Sequence, residues 1–241
     1  MKIIEKMAQK AQNNMDHPGV TIAFLGDSVT QGCFEICEIR PGEIEAIYDK
    51  NAAYHNYLAR IFAVLFPTVP VSIMNAGISG DNAPHGLLRL ERDVLRHSPD
   101  LTVVCFGLND CGGGEAGLPG YTAALAEIFR KLTRSGSEVI FMTPNTMCTK
   151  VSHTLDNELF RGVAAGIAGL QNGGVLDKYV AAAIDTANAC GVRVCDCYAR
   201  WKRLCECGVD TTELLANKIN HPDRNMNWLF AAALAETMFS A

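Results

Sequence analysis

The sequence predicts an α/β fold in which a five-stranded parallel sheet lies between two helical layers. Three observations predict it. Five short apolar runs rich in β-formers recur along the chain, and stretches with helical spacing of apolar residues separate them. One run, Leu101 to Phe106, is apolar almost throughout, as a strand covered on both faces should be. Strands alternating with helices at these intervals build right-handed βαβ crossovers, and those require parallel strands. A length of 241 residues predicts a single domain over 1–241. A domain of that size buries about three quarters of its unfolded surface and needs no staples.

Residues 1–14 read as a polar amphipathic helix, which His17-Pro18-Gly19 ends. Val20 to Leu25 is the first strand and runs into Gly26-Asp27-Ser28. Cys33 to Lys50 has no clean period and contains Arg40-Pro41-Gly42, so a loop or short helix over the strand ends is expected. Ala52 to Phe66 carries Tyr54, Leu58, Ile61, Phe62 and Leu65 at helical spacing, and Pro67 ends it. Val69 to Asn75 is the second strand, and Asp81 to His97 a helix with Leu87, Leu90, Val94 and Leu95 inward. After the strand at Leu101 to Phe106, Tyr121 to Thr133 is helical and Glu138 to Met142 is the fourth strand. Thr143 to Asn157 is a loop with Pro144, and Leu159 to Ile167 has helical character. Gln171-Asn172-Gly173-Gly174 breaks the chain before the helix Leu176 to Cys190. Val192 to Cys197 is the fifth strand, and the last helix runs from near Asn225 to Phe239.

Composition narrows the function. A net charge of −5 with 21 Lys+Arg spread along the chain argues against nucleic acid as a partner. The start, Met-Lys-Ile-Ile-Glu-Lys-Met, lacks the apolar core of a signal peptide, and no run reaches membrane-spanning length. A cytoplasmic protein without membrane partners is expected, its ten cysteines reduced. Cys195-Asp196-Cys197 and Cys205-Glu206-Cys207 raise the question of zinc. Alternation along a strand puts the first pair on one buried face, whereas helical spacing splits the second pair, which spoils a tetrahedral site. No metal and no cofactor is expected. Cys33 and Cys37 stand close to the Ser28 turn.

Chemistry concentrates on the loops after the strands. In open α/β sheets, ligands bind at the carboxyl ends of the strands. Ser28 stands there after the first strand, with backbone N–H groups beside it that can stabilise an oxyanion. Asp27 or Ser28 could equally serve as a plain helix cap. Asn75-Ala76-Gly77-Ile78-Ser79-Gly80-Asp81-Asn82 follows the second strand, and Gly107-Leu108-Asn109-Asp110 the third. Asn217-Lys218-Ile219-Asn220-His221-Pro222 follows the fifth. Together they offer a serine, a glycine, an asparagine and a histidine: nucleophile, backbone donor, side-chain donor and base. Each is weak alone, since Asn109 could be a cap and His221 a surface histidine.

In this order the motifs resemble those of the SGNH hydrolases, the GDSL-type esterase and lipase superfamily, over nearly the whole chain. Gly26-Asp27-Ser28 resembles the first block, Asn75 to Asp81 the second, Gly107-Leu108-Asn109-Asp110 the third, and His221-Pro222 the fifth. The resemblance implies a flavodoxin-like three-layer fold, with Ser28 as nucleophile and His221 as general base. It also implies an oxyanion hole from the Ser28 N–H, the Gly80 N–H and the Asn109 amide. The family places an aspartate three residues before the histidine, where this chain has Lys218. A serine–histidine dyad with another orienting group is therefore expected: a backbone carbonyl near Asn217 to Asn220, or Asp210 or Asp223.

The family also includes carbohydrate acetylesterases, lysophospholipases, thioesterases and arylesterases. The small loop at Gly112 to Gly114 and the lack of a basic amphipathic stretch favour short acyl groups over lipid. The expectation is a serine esterase acting on a small-molecule ester of the acetyl type, with a carbohydrate as one candidate alcohol. The runner-up activities are lysophospholipase and thioesterase. A flavodoxin-like binding protein, catalytically impaired, is the rival class, its first loop cradling a phosphate. An α/β-hydrolase fits poorly, because Ser28 lacks the Gly-x-Ser-x-Gly elbow and stands too early in the chain.

Overall fold

The computed structural model of the protein describes residues 1–240. Val20–Gly26 (β1), Val71–Gly77 (β4), Leu101–Cys105 (β5), Glu138–Met142 (β6) and Arg193–Cys195 (β7) form one sheet in the order β4-β1-β5-β6-β7. Every neighbouring pair is parallel. Counting only these strands, the order is 2-1-3-4-5, so successive crossovers reverse direction between β1 and β5. Such a reversal opens a crevice at the strands' carboxyl ends. β5 lies at the centre and is buried at all five positions, as its nearly continuous apolar run predicted.

Nine α-helices among the described residues accompany the strands: Lys2–Gln12 (α1), Ser28–Gln31 (α2), Tyr54–Leu65 (α3), Ala83–Asp93 (α4), Gly114–Arg134 (α5), Glu158–Asn172 (α6), Val175–Ala189 (α7), Cys197–Glu206 (α8) and Asn227–Phe239 (α9). The interior is built on Phe24, Leu25, Val103, Phe106, Phe129, Phe141 and Phe230, all fully buried. Each such aromatic removes enough apolar surface from water to contribute about 2–3 kcal/mol. The second expected strand is displaced two residues toward the carboxyl end, and Leu65 at the end of α3 is 51% exposed rather than inward. α5 starts seven residues before Tyr121 despite Pro119, and the break after α6 falls at Gly173-Gly174.

Two expectations are overturned. Cys33 to Lys50 is neither loop nor short helix. Cys33–Arg40 (β2) and Glu43–Tyr48 (β3) form an antiparallel hairpin outside the main sheet, closed at Pro41-Gly42. Pro followed by a left-handed Gly42 at the two central positions is the pattern of a type II turn. The hairpin projects into solvent on much of both faces, so neither strand carries the apolar alternation of a half-buried strand. The fifth strand is also shorter than expected, because Asp196 caps α8 by accepting from the Ala199 N–H. Cys197 is thus the first helical residue. Cys195 and Cys197 are nevertheless both buried with their sulfurs 3.8 Å apart, while Cys205 and Cys207 are exposed.

Candidate active site

The crevice predicted by the strand order is occupied by the tight turn from β1 into α2. Asp27 caps α2 by accepting from the Val29 N–H at 2.9 Å, which holds Ser28 at the head of the turn. α2 can settle onto the sheet edge only because Gly77 ends β4. A Cβ at Gly77 would lie 2.3 Å from the Gln31 nitrogen and 2.7 Å from the Thr30 carbonyl carbon. Any side chain there would push the serine turn off the strand ends.

Ser28, Gly80, Asn109 and His221 all line a single cleft of about 380 Å³. These are the four site residues the sequence nominated, from four separate loops. Ser28 Oγ lies 2.9 Å from His221 Nε2, and both side chains are buried. Asn109 Nδ2 donates to the Asp81 carbonyl at 2.8 Å. That bond uses one amide hydrogen, fixes the amide's orientation and leaves the second hydrogen without a protein acceptor among the described residues. Gly80 has φ +77°, a left-handed conformation open to glycine, and neither its N–H nor that of Ser28 donates to a protein acceptor among the described residues.

His221 is held by its own loop. Asn217 Oδ1 accepts from the backbone N–H groups of Ile219, Asn220 and His221 at 2.9–3.0 Å. Leu215 bridges Pro222, and the Ala216 N–H donates to the His221 carbonyl at 2.7 Å. Lys218 has φ +56° and turns away from the imidazole, donating to the Glu213 carbonyl at 2.7 Å. Asp210 pairs with Lys150 and Asp223 caps the Met226 N–H, so neither carboxylate reaches the ring. His221 Nδ1 instead lies 3.1 Å from the Phe34 carbonyl, on the hairpin. The acceptor is a backbone carbonyl, as one expected alternative had it, but it comes from 187 residues away rather than from Asn217 to Asn220.

That partner fixes the tautomer. A carbonyl only accepts, so Nδ1 carries the hydrogen and Nε2 is left bare toward the Ser28 hydroxyl. Burial pushes His221 down to about 4, opposed more weakly by the Phe34 carbonyl and by the charge of Glu35. Burial likewise raises Asp27 to about 7 and Asp110 to about 6, with the Asp81 charge adding to both.

Sequence reasoning missed two buried or half-buried arginines. Arg89, 8% exposed, donates to Asp81, to the Ala76 carbonyl at 2.6 Å and to the Gly26 carbonyl at 2.9 Å. It therefore ties the ends of β4 and β1 to the residue that anchors the Asn109 amide. Arg224 grips the foot of the hairpin. One wall of the cleft is apolar, with Ile36 and Ile44 from the hairpin facing Phe160, Val163 and Ile167 of α6. No helix among the described residues is long and apolar enough to cross a membrane.

Comparison with known proteins bears on the fold and the family. An acetylxylan esterase of Geobacillus stearothermophilus is 28% identical over 92 residues, 38% of this chain and 40% of that protein. An arylesterase of Vibrio mimicus is 35% identical over 74 residues, 30% of this chain and 36% of that protein. The matched stretches thus span well under half the length of either relative. Among solved structures, the acetylxylan esterase Axe2 of Geobacillus stearothermophilus has a TM-score of 0.68 at 18% identity, covering 93% of this chain and 96% of that one. The acetyl xylan esterase AlAXEase has a TM-score of 0.66 at 20% identity, covering 91% and 100%. At such identities the structural likeness shows the three-layer α/β fold. Residues 24–227 match a single family across most of the chain, and the chain belongs to that GDSL-like Lipase/Acylhydrolase family.

Proposed function

We propose that the protein is a serine esterase that hydrolyses short-chain, acetyl-type carboxylic esters of carbohydrates through an acyl-enzyme, in the cytoplasm. The observation that carries this reading is the 2.9 Å contact between Ser28 Oγ and His221 Nε2 inside a cleft that Asn109 also lines. Ser28 attacks the ester carbonyl while His221 takes its proton, and His221 then returns that proton to the departing alcohol. The Ser28 and Gly80 N–H groups and the free hydrogen of Asn109 face the oxygen as it gains charge. Water, activated by the same imidazole, releases the acid. Family membership supports the ester chemistry, and the acetylxylan esterases among its relatives support the acetyl group and the sugar alcohol.

Acyl length is read directly by kcat/KM on a p-nitrophenyl ester series, with release of acetate from an acetylated xylooligosaccharide as the second arm. Acetate esters turned over faster than octanoate esters are expected. Faster turnover of the long chains would contradict the short-acyl assignment and favour a lipid-type substrate accommodated by Ile36, Ile44 and Phe160.

The pH dependence follows from His221. A general base works unprotonated, and burial lowers this imidazole from 6.5 to about 4. Protonation, and loss of kcat/KM, is therefore expected only near that value as the pH falls, with a plateau through weakly acidic solution. An acid limb near 6.5 would show that the ring is solvated or backed by a carboxylate.

A further inference from the structure

His221 and the acceptor of its Nδ1–H lie on segments that nothing in the local chain forces together. Phe34 is in the hairpin, whose outer part is exposed, with Ile39 and Ile44 each at 52%. A carbonyl on an arm of that kind can serve as a fixed acceptor only if the arm's base is pinned. The pin is visible. Arg224, three residues beyond His221 on the same loop, donates to Glu35 Oε1 at 2.5 Å and to Glu35 Oε2 at 3.0 Å. Its Nε donates to Asp49 Oδ2 at 3.2 Å, and its guanidinium carbon lies 4.5 Å from the centre of the Phe34 ring. Glu35 stands at the near foot of the hairpin. Asp49 stands at the far foot, where its N–H donates to the Gly32 carbonyl at 2.9 Å. One side chain thus grips both strands at their base and covers the residue whose carbonyl faces His221.

We propose that Arg224 is the positioning residue of this site, holding the Phe34 carbonyl on His221 Nδ1 in place of the side-chain carboxylate that Lys218 displaces. The inference rests on the Ser28–His221 reading above. The chemistry suits arginine: the planar fork satisfies both oxygens of Glu35 while its face packs on an aromatic ring, which a lysine ammonium cannot do. Because Arg224 and His221 share one loop, movement of that loop carries the base and the clamp on its acceptor together. A carboxylate partner would orient the ring and also stabilise its positive charge. The clamp supplies orientation, and Glu35, already neutralised by Arg224, adds little charge stabilisation.

The test uses the full chain with Arg224→Ala, Arg224→Lys and Glu35→Gln. Three readouts are taken: kcat and KM on p-nitrophenyl acetate, the thermal melt, and the Nδ1–H resonance of His221 in protein labelled with ¹⁵N-histidine, assigned by its absence from His221→Ala. Misplacing a base by about an ångström costs up to ~10²-fold in rate, so Arg224→Ala is expected to lose about 10–100-fold in kcat with little change in KM. The Nδ1–H resonance should exchange away in the same variant. Arg224→Lys should fall between wild type and Arg224→Ala, and Glu35→Gln should lose kcat in the same direction. A folded Arg224→Ala that keeps both kcat within about twofold and the resonance overturns the proposal. If Arg224→Ala fails to fold, Glu35→Gln decides by the same two readouts, and an unchanged rate and resonance overturn it. Wild-type protein without turnover would remove the esterase reading, yet the resonance in the variants would still test the clamp.

Discussion

Ser28→Ala is expected to lower kcat by at least ~10⁴-fold while leaving the melting temperature within a few degrees of wild type. The hydroxyl is one buried atom whose only partner among the described residues is the imidazole 2.9 Å away, so its removal costs a single hydrogen bond, about 1 kcal/mol. The reaction, by contrast, loses the atom that bonds to the acyl carbon. His221→Ala should lose a comparable factor, because the serine is then left protonated with no base within reach. Combining the two should cost little more than either alone, since nucleophile and base act as one unit. Steady-state kinetics on p-nitrophenyl acetate check all three variants. A Ser28→Ala enzyme retaining a tenth of wild-type turnover would place the chemistry elsewhere.

The second large effect is at Asn109. Its amide is fixed by the Asp81 carbonyl, and Arg89 fixes Asp81 in turn, so the free hydrogen needs no reorganisation as charge develops. Removing one such preorganised donor costs ~10²–10³-fold in turnover. Asn109→Ala is therefore expected to lose that factor in kcat with KM nearly unchanged, because the donor's work lies in the transition state. Asn109→Asp should be worse still, since it sets a carboxylate against the oxyanion. The affinity of a boronic acid, whose tetrahedral adduct imitates the intermediate, should fall in step with kcat. A rise in KM at constant kcat would assign Asn109 to ground-state binding instead.

Much of this site is legible in the amino-acid sequence. β1, β5 and β6 announce themselves by apolar runs, and short loops after β1, β4 and β5 put Ser28, Gly80 and Asn109 at one sheet edge. Position three before the histidine also announced a departure, because a lysine cannot accept the imidazole N–H. What replaced it was not legible, for a physical reason. The acceptor is the Phe34 carbonyl, and a backbone atom carries no residue signature. The hairpin that delivers it lies mostly in solvent and therefore lacks a one-sided apolar pattern. Arg40-Pro41-Gly42-Glu43, flanked by Ile36, Ile39, Ile44 and Ile47, was the available signal for it. α8 escaped because Asp196, its cap, sits inside a run that reads as strand. Cys197, Tyr198 and Trp201 along one buried side would have revealed it. Arg89 and Arg224 look like any charged residue in a helix or loop. Only tertiary placement gives them their carbonyl and carboxylate partners.

The measurement that bears most directly on the whole account is intact-protein mass spectrometry after treatment with a fluorophosphonate, followed by peptide mapping. The account predicts one adduct per chain, on the peptide containing Ser28, absent from Ser28→Ala and formed far more slowly in His221→Ala. An unlabelled wild-type protein, or an adduct that persists in Ser28→Ala, would contradict it.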